Sequence, residues 1–238
     1  MANNSYTFES RVRISEAGST GRLTLPGVIN YFQDCSTLQS ESLNLGVKYF
    51  QEHQRAWVLS YWQIEVDRYP MLGEKVTSET WATSFQGMFG ERNFQLWDEE
   101  KCVVARAHSL WVYMDMAKGR PIKPQPEEVD PYGQGEALEM ERESRKIARP
   151  EHTEEREAFC VRRYQIDTNQ HMNNCQYVQL AMELVDEEFC PHKIRVEYKK
   201  SAVYNDIIVP KIAVEEERIV VELCDEAGGL YAIVELKK

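Results

Sequence analysis

One order of signals occurs twice in this 238-residue chain, and that constrains its fold more than any composition figure. In the first half, a short strand is expected around Ser10 to Ser15, followed by the stretch LPGVINYFQDCSTLQSESLNLG. Pro26 suits a first helical turn, Val28, Phe32, Cys35 and Leu38 recur at helical spacing, and Gly46 suits the end, so one helix is expected. Four runs rich in β-branched and aromatic residues follow, at 57–66, 75–85, 88–97 and 103–115, with turn signals between them. The second half repeats the order: a strand near 159–164, a helical stretch over 173–189, and strands near 194–203, 207–216, 218–225 and 230–236. Glu65 can be laid on Glu197, which carries the turn Gly73-Glu74 onto Asn205-Asp206, and YFQ at 31–33 matches YVQ at 177–179.

Between the halves lies a different composition. Pro121, Pro124, Pro126 and Pro131 precede a run of mixed charge. The prolines remove donors, so this part is not expected to pair in a sheet, while 136–149 could form a polar surface helix. The division is therefore residues 1–116, a linker over 117–158, and residues 159–238. In a strand-helix-four-strand unit the helix buries its apolar stripe by lying across a curved antiparallel sheet, which is the hotdog arrangement. The fold class expected is α+β, a tandem hotdog, in which two joined sheets can satisfy each other's edges.

With 28 basic and 39 acidic residues the net charge is -11, which opposes phosphate binding and argues against a nucleic-acid partner. No apolar run approaches the roughly 18 residues of a membrane span, and the first residues show neither a secretory signal nor a transit peptide, so a cytoplasmic address is expected. The six cysteines show no CxxC spacing, which points to buried thiols and to no metal site.

The most informative stretch is Asp167-Thr168-Asn169-Gln170-His171-Met172-Asn173-Asn174, between a strand and a helix. If 167–171 is extended, the side chains of Asp167, Asn169 and His171 share a face. Asn173 or Asn174 could cap the following helix, whose unpaired N–H groups would favour a developing oxyanion.

DTNQHMNNCQYV resembles the DxNxHxNNxxY signature of the acyl-acyl carrier protein thioesterases, double-hotdog enzymes of plant plastids and of bacteria. The resemblance extends over nearly the whole chain, including the segment VEYKKSA. It implies that Asp167, Asn169 and His171 are catalytic, that the N-terminal repeat houses the acyl chain, and that the reaction releases a fatty acid without a cofactor. Plant members carry a glutamate and then a cysteine where this chain has Ser201 and Ala202, so a cysteine nucleophile is excluded there and Ser201 is left as a group that could place water. Glu183 lies twelve residues past His171, too far along a helix to replace the glutamate. Cys175 reads as core packing.

Aligning YFQ with YVQ puts Gly21, Leu23 and Leu25 opposite the catalytic three, so the chemistry is expected in one copy only. The implied partner is acyl carrier protein with its phosphopantetheine-linked acyl chain. Docking that acidic protein calls for a local basic surface, for which Arg162, Arg163, Lys193, Arg195, Lys199 and Lys200 are the candidates, with Arg142, Arg145, Lys146 and Arg149 in the linker. The protein could act as a monomer or a homodimer. Rival readings are an acyl-CoA thioesterase, a dehydratase of the same fold, and a noncatalytic acyl- or carrier-binding protein.

Overall fold

The computed structural model describes residues 4–238, which divide into two compact units: residues up to 60 with 66–141, and residues 61–65 with 142–238. Both are antiparallel sheets carrying a helix. In chain order the elements are β1 (Tyr6–Arg11), α1 (Leu25–Ser42), α2 (Val47–His53), β2 (Arg55–Val66), β3 (Lys75–Gln86), β4 (Phe89–Asp98), β5 (Val103–Asp115), β6 (Arg120–Pro121) and α3 (Pro126–Val129). They continue with β7 (Glu154–Glu155), β8 (Phe159–Cys160), α4 (Asn174–Met182), β9 (Lys193–Tyr198), β10 (Ile207–Val214), β11 (Ile219–Cys224) and β12 (Leu230–Lys237).

In the first unit β1, β3, β4 and β5 pair in that order. Side chains alternate between faces of a strand, so Ser78, Thr80, Arg92 and Phe94 look toward α1 while Trp81 and Asn93 look away. Phe32 of α1 meets Phe94, and Cys35 and Tyr31 reach the Ser78 backbone and hydroxyl. In the second unit residues 61–65 of β2 pair with β9, and the order continues through β12, β11 and β10 to β7. Tyr177 of α4 packs edge-on against Tyr198, which sets that face of the sheet under the helix.

The linker departs from the expectation. No helix forms over 136–149; this stretch has no regular secondary structure, bends at 145–146, and is hydrogen-bonded to the sheet faces that α1 and α4 leave uncovered. Trp81 donates its indole N–H to the Glu136 carbonyl and Asn93 accepts the Leu138 N–H in the first unit. In the second unit, Arg195 donates to the Ser144 carbonyl, Arg149 forks onto the buried Glu222, and Ile147 is fully buried against Val220 and Ile233. A free helix would have taken Arg149 from the buried Glu222 and the Ser144 carbonyl from Arg195, so contacts with the sheet override local propensity. The proline part also pairs: Pro121 sits opposite Met114 on β5. It lies at the end of a two-residue strand, where a missing donor is tolerated.

Several boundaries shift as well. The first strand ends at Arg11 and a 3-10 turn occupies Ile14–Glu16; the expected strand near 159–164 is two residues followed by a 3-10 turn at Arg163–Gln165. The expected helix over 25–46 is α1, which ends at Ser42, and a separate short helix, α2, follows the expected end at Gly46; α4 stops at Met182 rather than running to 189. Of the cysteines, Cys35, Cys175 and Cys224 are buried, but Cys102 and Cys190 are exposed. No helix among the described residues is long and apolar enough to cross a membrane.

Candidate active site

Residues 166–173 form a closed loop, not the extended segment expected from the alternation of polar groups. Ile166 and Met172 bridge across its base, the Asp167 N–H donates to the His171 carbonyl at 2.8 Å, and the Gln170 N–H donates back to the Asp167 carbonyl at 3.1 Å. Gln170 takes a left-handed φ of 63° to close the turn. Asp167, Asn169 and His171 therefore do not share a face by strand alternation; they are gathered by a tight turn. The Asp167 carboxylate points into it, where Oδ1 accepts the Asn169 N–H at 2.8 Å and the His171 N–H at 3.4 Å. This is the local side-chain-to-backbone bonding at which aspartate excels. Asn169 is exposed at the tip and His171 half-buried at the exit.

From His171 the chain runs straight into α4. Asn173 is the N-cap, its Oδ1 accepting the Cys175 N–H at 2.9 Å, and its own N–H donates to the Gln165 carbonyl. The N-cap of α4 thus lies two residues beyond His171, with the helix's first N–H groups and positive dipole end toward the loop. Met172, between them, donates its N–H to the Ala202 carbonyl at 2.8 Å, which brings the segment of Ser201 alongside. Ser201 itself is exposed. Cys175 is buried and Glu183 closes the far end of α4, about 13.5 Å away for nine residues at 1.5 Å each, so neither joins the loop.

The basic candidates separate sharply. Arg195 is not a surface group: it is 8% exposed and held by Glu235, Glu143 and the Ser144 carbonyl, because it lies on the sheet face that the linker covers. That removes it from any docking surface. Lys199 is paired with Glu197 and Lys200 with Asp225. Lys193 is exposed, as are Arg162 and Arg163, which directly precede the loop; the Arg163 guanidinium lies 5.3 Å over the Tyr204 ring. Tyr164, 81% exposed, and Tyr204, 44% exposed, extend this patch. Among the described residues no three His, Cys, Asp or Glu side chains gather as a metal ion would require.

The same loop exists in the first unit. Gly18 N–H donates to the Arg22 carbonyl at 2.8 Å, Gly21 takes φ 75°, Ala17 bridges Leu23, and the Leu23 N–H donates to the Pro70 carbonyl at 2.7 Å. Thr24 caps α1 as Asn173 caps α4. These equivalences place Gly18, Thr20 and Arg22 opposite Asp167, Asn169 and His171. The alignment through YFQ and YVQ was therefore off by three residues; helical spacing lets two helices be laid on one another a turn apart, and the caps fix the true register.

Two family models cover most of the chain: the acyl-ACP thioesterase N-terminal domain matches residues 3–132 and the acyl-ACP thioesterase C-terminal domain matches residues 148–231. The chain belongs to the acyl-ACP thioesterase family. Among curated relatives it is 26% identical over 226 residues to the chloroplastic oleoyl-acyl carrier protein thioesterase 1 of Arabidopsis thaliana, an alignment that takes in 86% of this chain. The chain spans 62% of that relative's length. Among solved structures, an acyl-ACP thioesterase from Bacteroides thetaiotaomicron has a TM-score of 0.87 at 20% identity, covering 98% of this chain and 97% of its own. The 12:0-ACP thioesterase from Umbellularia californica has the same score at 18% identity, covering 100% and 98%. The fold of the family, the tandem hotdog, is thereby shared by this chain.

Proposed function

We propose that this protein hydrolyses the thioester joining a fatty acyl chain to acyl carrier protein, releasing free fatty acid and the carrier thiol and so ending chain extension. One observation carries the reading: a closed loop bearing Asp167, Asn169 and His171 opens onto the capped start of α4, in a chain of the acyl-ACP thioesterase family. Neutral His171 takes a proton from water, whose oxygen attacks the thioester carbonyl carbon. Asn169 and the N–H groups at the start of α4 stabilise the tetrahedral oxyanion. Its collapse breaks the carbon–sulfur bond, and the thiolate, whose pKa is near that of cysteine at roughly 8.5, leaves without strong acid help. Asp167 holds the loop through the Asn169 and His171 N–H groups, and Ser201 helps place the water.

Under this reading residues 1–116 receive the acyl chain, residues 117–158 link, and residues 159–238 carry the chemistry. Arg162 and Arg163 form the docking surface for the acidic carrier, with Lys193, Lys199 and Lys200 contributing less. The reaction needs no cofactor and takes place in the cytoplasm. The test is thiol release from a panel of acyl-carrier thioesters and the matching acyl-CoA thioesters, at low and moderate salt. The expected result is turnover that favours the carrier and a Michaelis constant that rises with salt. Equal or better use of acyl-CoA would replace the carrier as substrate, and binding without thiol release would overturn the hydrolase.

A further inference from the structure

The two loops differ in one buried hydrogen bond as well as in their polar side chains. In the second unit the Ala202 N–H donates to the Tyr177 hydroxyl at 2.8 Å; Tyr177 is 1% and Ala202 0% exposed. Ala202 also offers its carbonyl to the Met172 N–H, so this one peptide segment is held from both sides, by α4 and by the residue that follows His171. In the first unit the equivalent of Ala202 is Pro70, and the equivalent of Tyr177 is Val28. Pro70 supplies the same carbonyl, to Leu23 at 2.7 Å, but has no N–H to donate, and Val28 has no acceptor. Donor and acceptor are thus both absent from one repeat and both present in the repeat that carries Asp167, Asn169 and His171.

We propose that Tyr177 is a positioning residue for the reaction: by accepting the buried Ala202 N–H it fixes Ser201 and the His171 loop at one spacing. The proposal rests on the hydrolase reading above. Val28 and Pro70 show that the fold does not need this bond to close the loop, so its place in the second unit is explained by precision at His171 and Ser201. A displacement of about 1 Å in such a constellation is enough to cost on the order of a hundredfold in rate. Burial pushes the Tyr177 phenol up to about 12, so it remains a neutral hydroxyl over the working pH range. Tyr198, packed edge-on against the Tyr177 ring and donating to the Asn174 carbonyl at 2.9 Å, limits the ring's freedom to move away.

The experiment compares Tyr177→Phe, Ala202→Pro and the double variant in the full chain, by steady-state thiol release and by amide hydrogen exchange. Tyr177→Phe removes the acceptor; Ala202→Pro removes the donor and copies the first unit, so it tests the same bond should Tyr177→Phe not fold. Each single variant is expected to lower kcat at least about tenfold with KM within about twofold. The Met172 amide is expected to exchange faster, while the amides of β11 and β12 keep their protection. Because both changes delete one bond, Tyr177→Phe is expected to alter kcat less than about twofold in the Ala202→Pro background. Unchanged kcat in both singles, or additive losses in the double, would overturn the positioning role. His171→Ala separates this from the parent reading. Wild-type turnover that His171→Ala abolishes and Tyr177→Phe leaves intact sinks the positioning role alone, whereas absence of thiol release from the wild type sinks both.

Discussion

The loops at 18–22 and 167–171 have one backbone and two chemistries. Both close with the same pair of hydrogen bonds, both put their fourth residue at positive φ, and both deliver the chain to a capped helix. The segments they lean on also match: the Val12 N–H donates to the Glu74 carbonyl as the Val161 N–H does to the Asp206 carbonyl, and Gly73 and Asn205 both sit at positive φ. Gly18, Thr20 and Arg22 close the loop without an inward carboxylate, which teaches that the Asp167 carboxylate is not required for the turn to exist. By accepting the Asn169 and His171 N–H groups, its Oδ1 instead ties together the turn that bears those two residues.

The largest expected difference between the loops is in rate. His171→Ala and Asn169→Ala are each expected to lower thiol release by at least about a hundredfold, the scale of general acid–base catalysis, with folding confirmed by circular dichroism. Arg22→Ala and Thr20→Ala are expected to change it less than about twofold; comparable losses on the two sides would break the comparison. Next comes the closing residue. Gly21→Gln puts a side chain at φ 75° and is expected to cost about 1 kcal/mol, read as a fall of about 2–4 °C in Tm by calorimetry.

The turns ahead of the loops sharpen the contrast in acid. At equivalent places stand Glu16, which accepts the Arg13 N–H at 2.9 Å and the Tyr31 hydroxyl at 2.9 Å, and Gln165, which accepts the Arg162 N–H at 2.9 Å. Burial opposes the Glu16 charge, but the hydrogen bonds from Arg13 and Tyr31 outweigh it, so its carboxyl titrates below the ordinary 4.5. Its contribution is complete above that ordinary value and is lost as pH falls through the lower, folded value. Amide protection at Thr24 is therefore expected to drop in acid while that at Asn173 holds, and Glu16→Gln is expected to remove the difference. The smallest effect is the converse of the glycine test. Gln170→Gly relieves a left-handed side chain but frees the unfolded chain, so stability is expected to change by only a few tenths of a kcal/mol.

The repeat was legible because its signals are local. The runs rich in β-branched and aromatic residues at 75–85 and 103–115 became β3 and β5 with ends within a residue, and DTNQHMNN was visible as a polar interruption between apolar elements. The pairing of Gly73-Glu74 with Asn205-Asp206, read from faint similarity, is reproduced bond for bond. Register in the helices was not legible, since an apolar stripe repeats every turn and only Thr24 and Asn173 as caps distinguish one turn from the next. The Arg195 misreading has the same origin: a lone arginine in a strand reads as surface until Glu235, Glu143 and Ser144 are seen around it.

Sequence alone determined the two-repeat α+β plan and where the polar stretch bearing Asp167, Asn169 and His171 falls between strand and helix, because strand patterning and caps act over a few positions along the chain. Tertiary structure decided that 136–149 lies as an irregular segment against the sheets, that Arg195 is buried beneath it, and that Ala202 meets Tyr177. Each of these sets a local preference against partners between 25 and 73 residues away, and the desolvation of a charge or an N–H is settled only when those partners arrive.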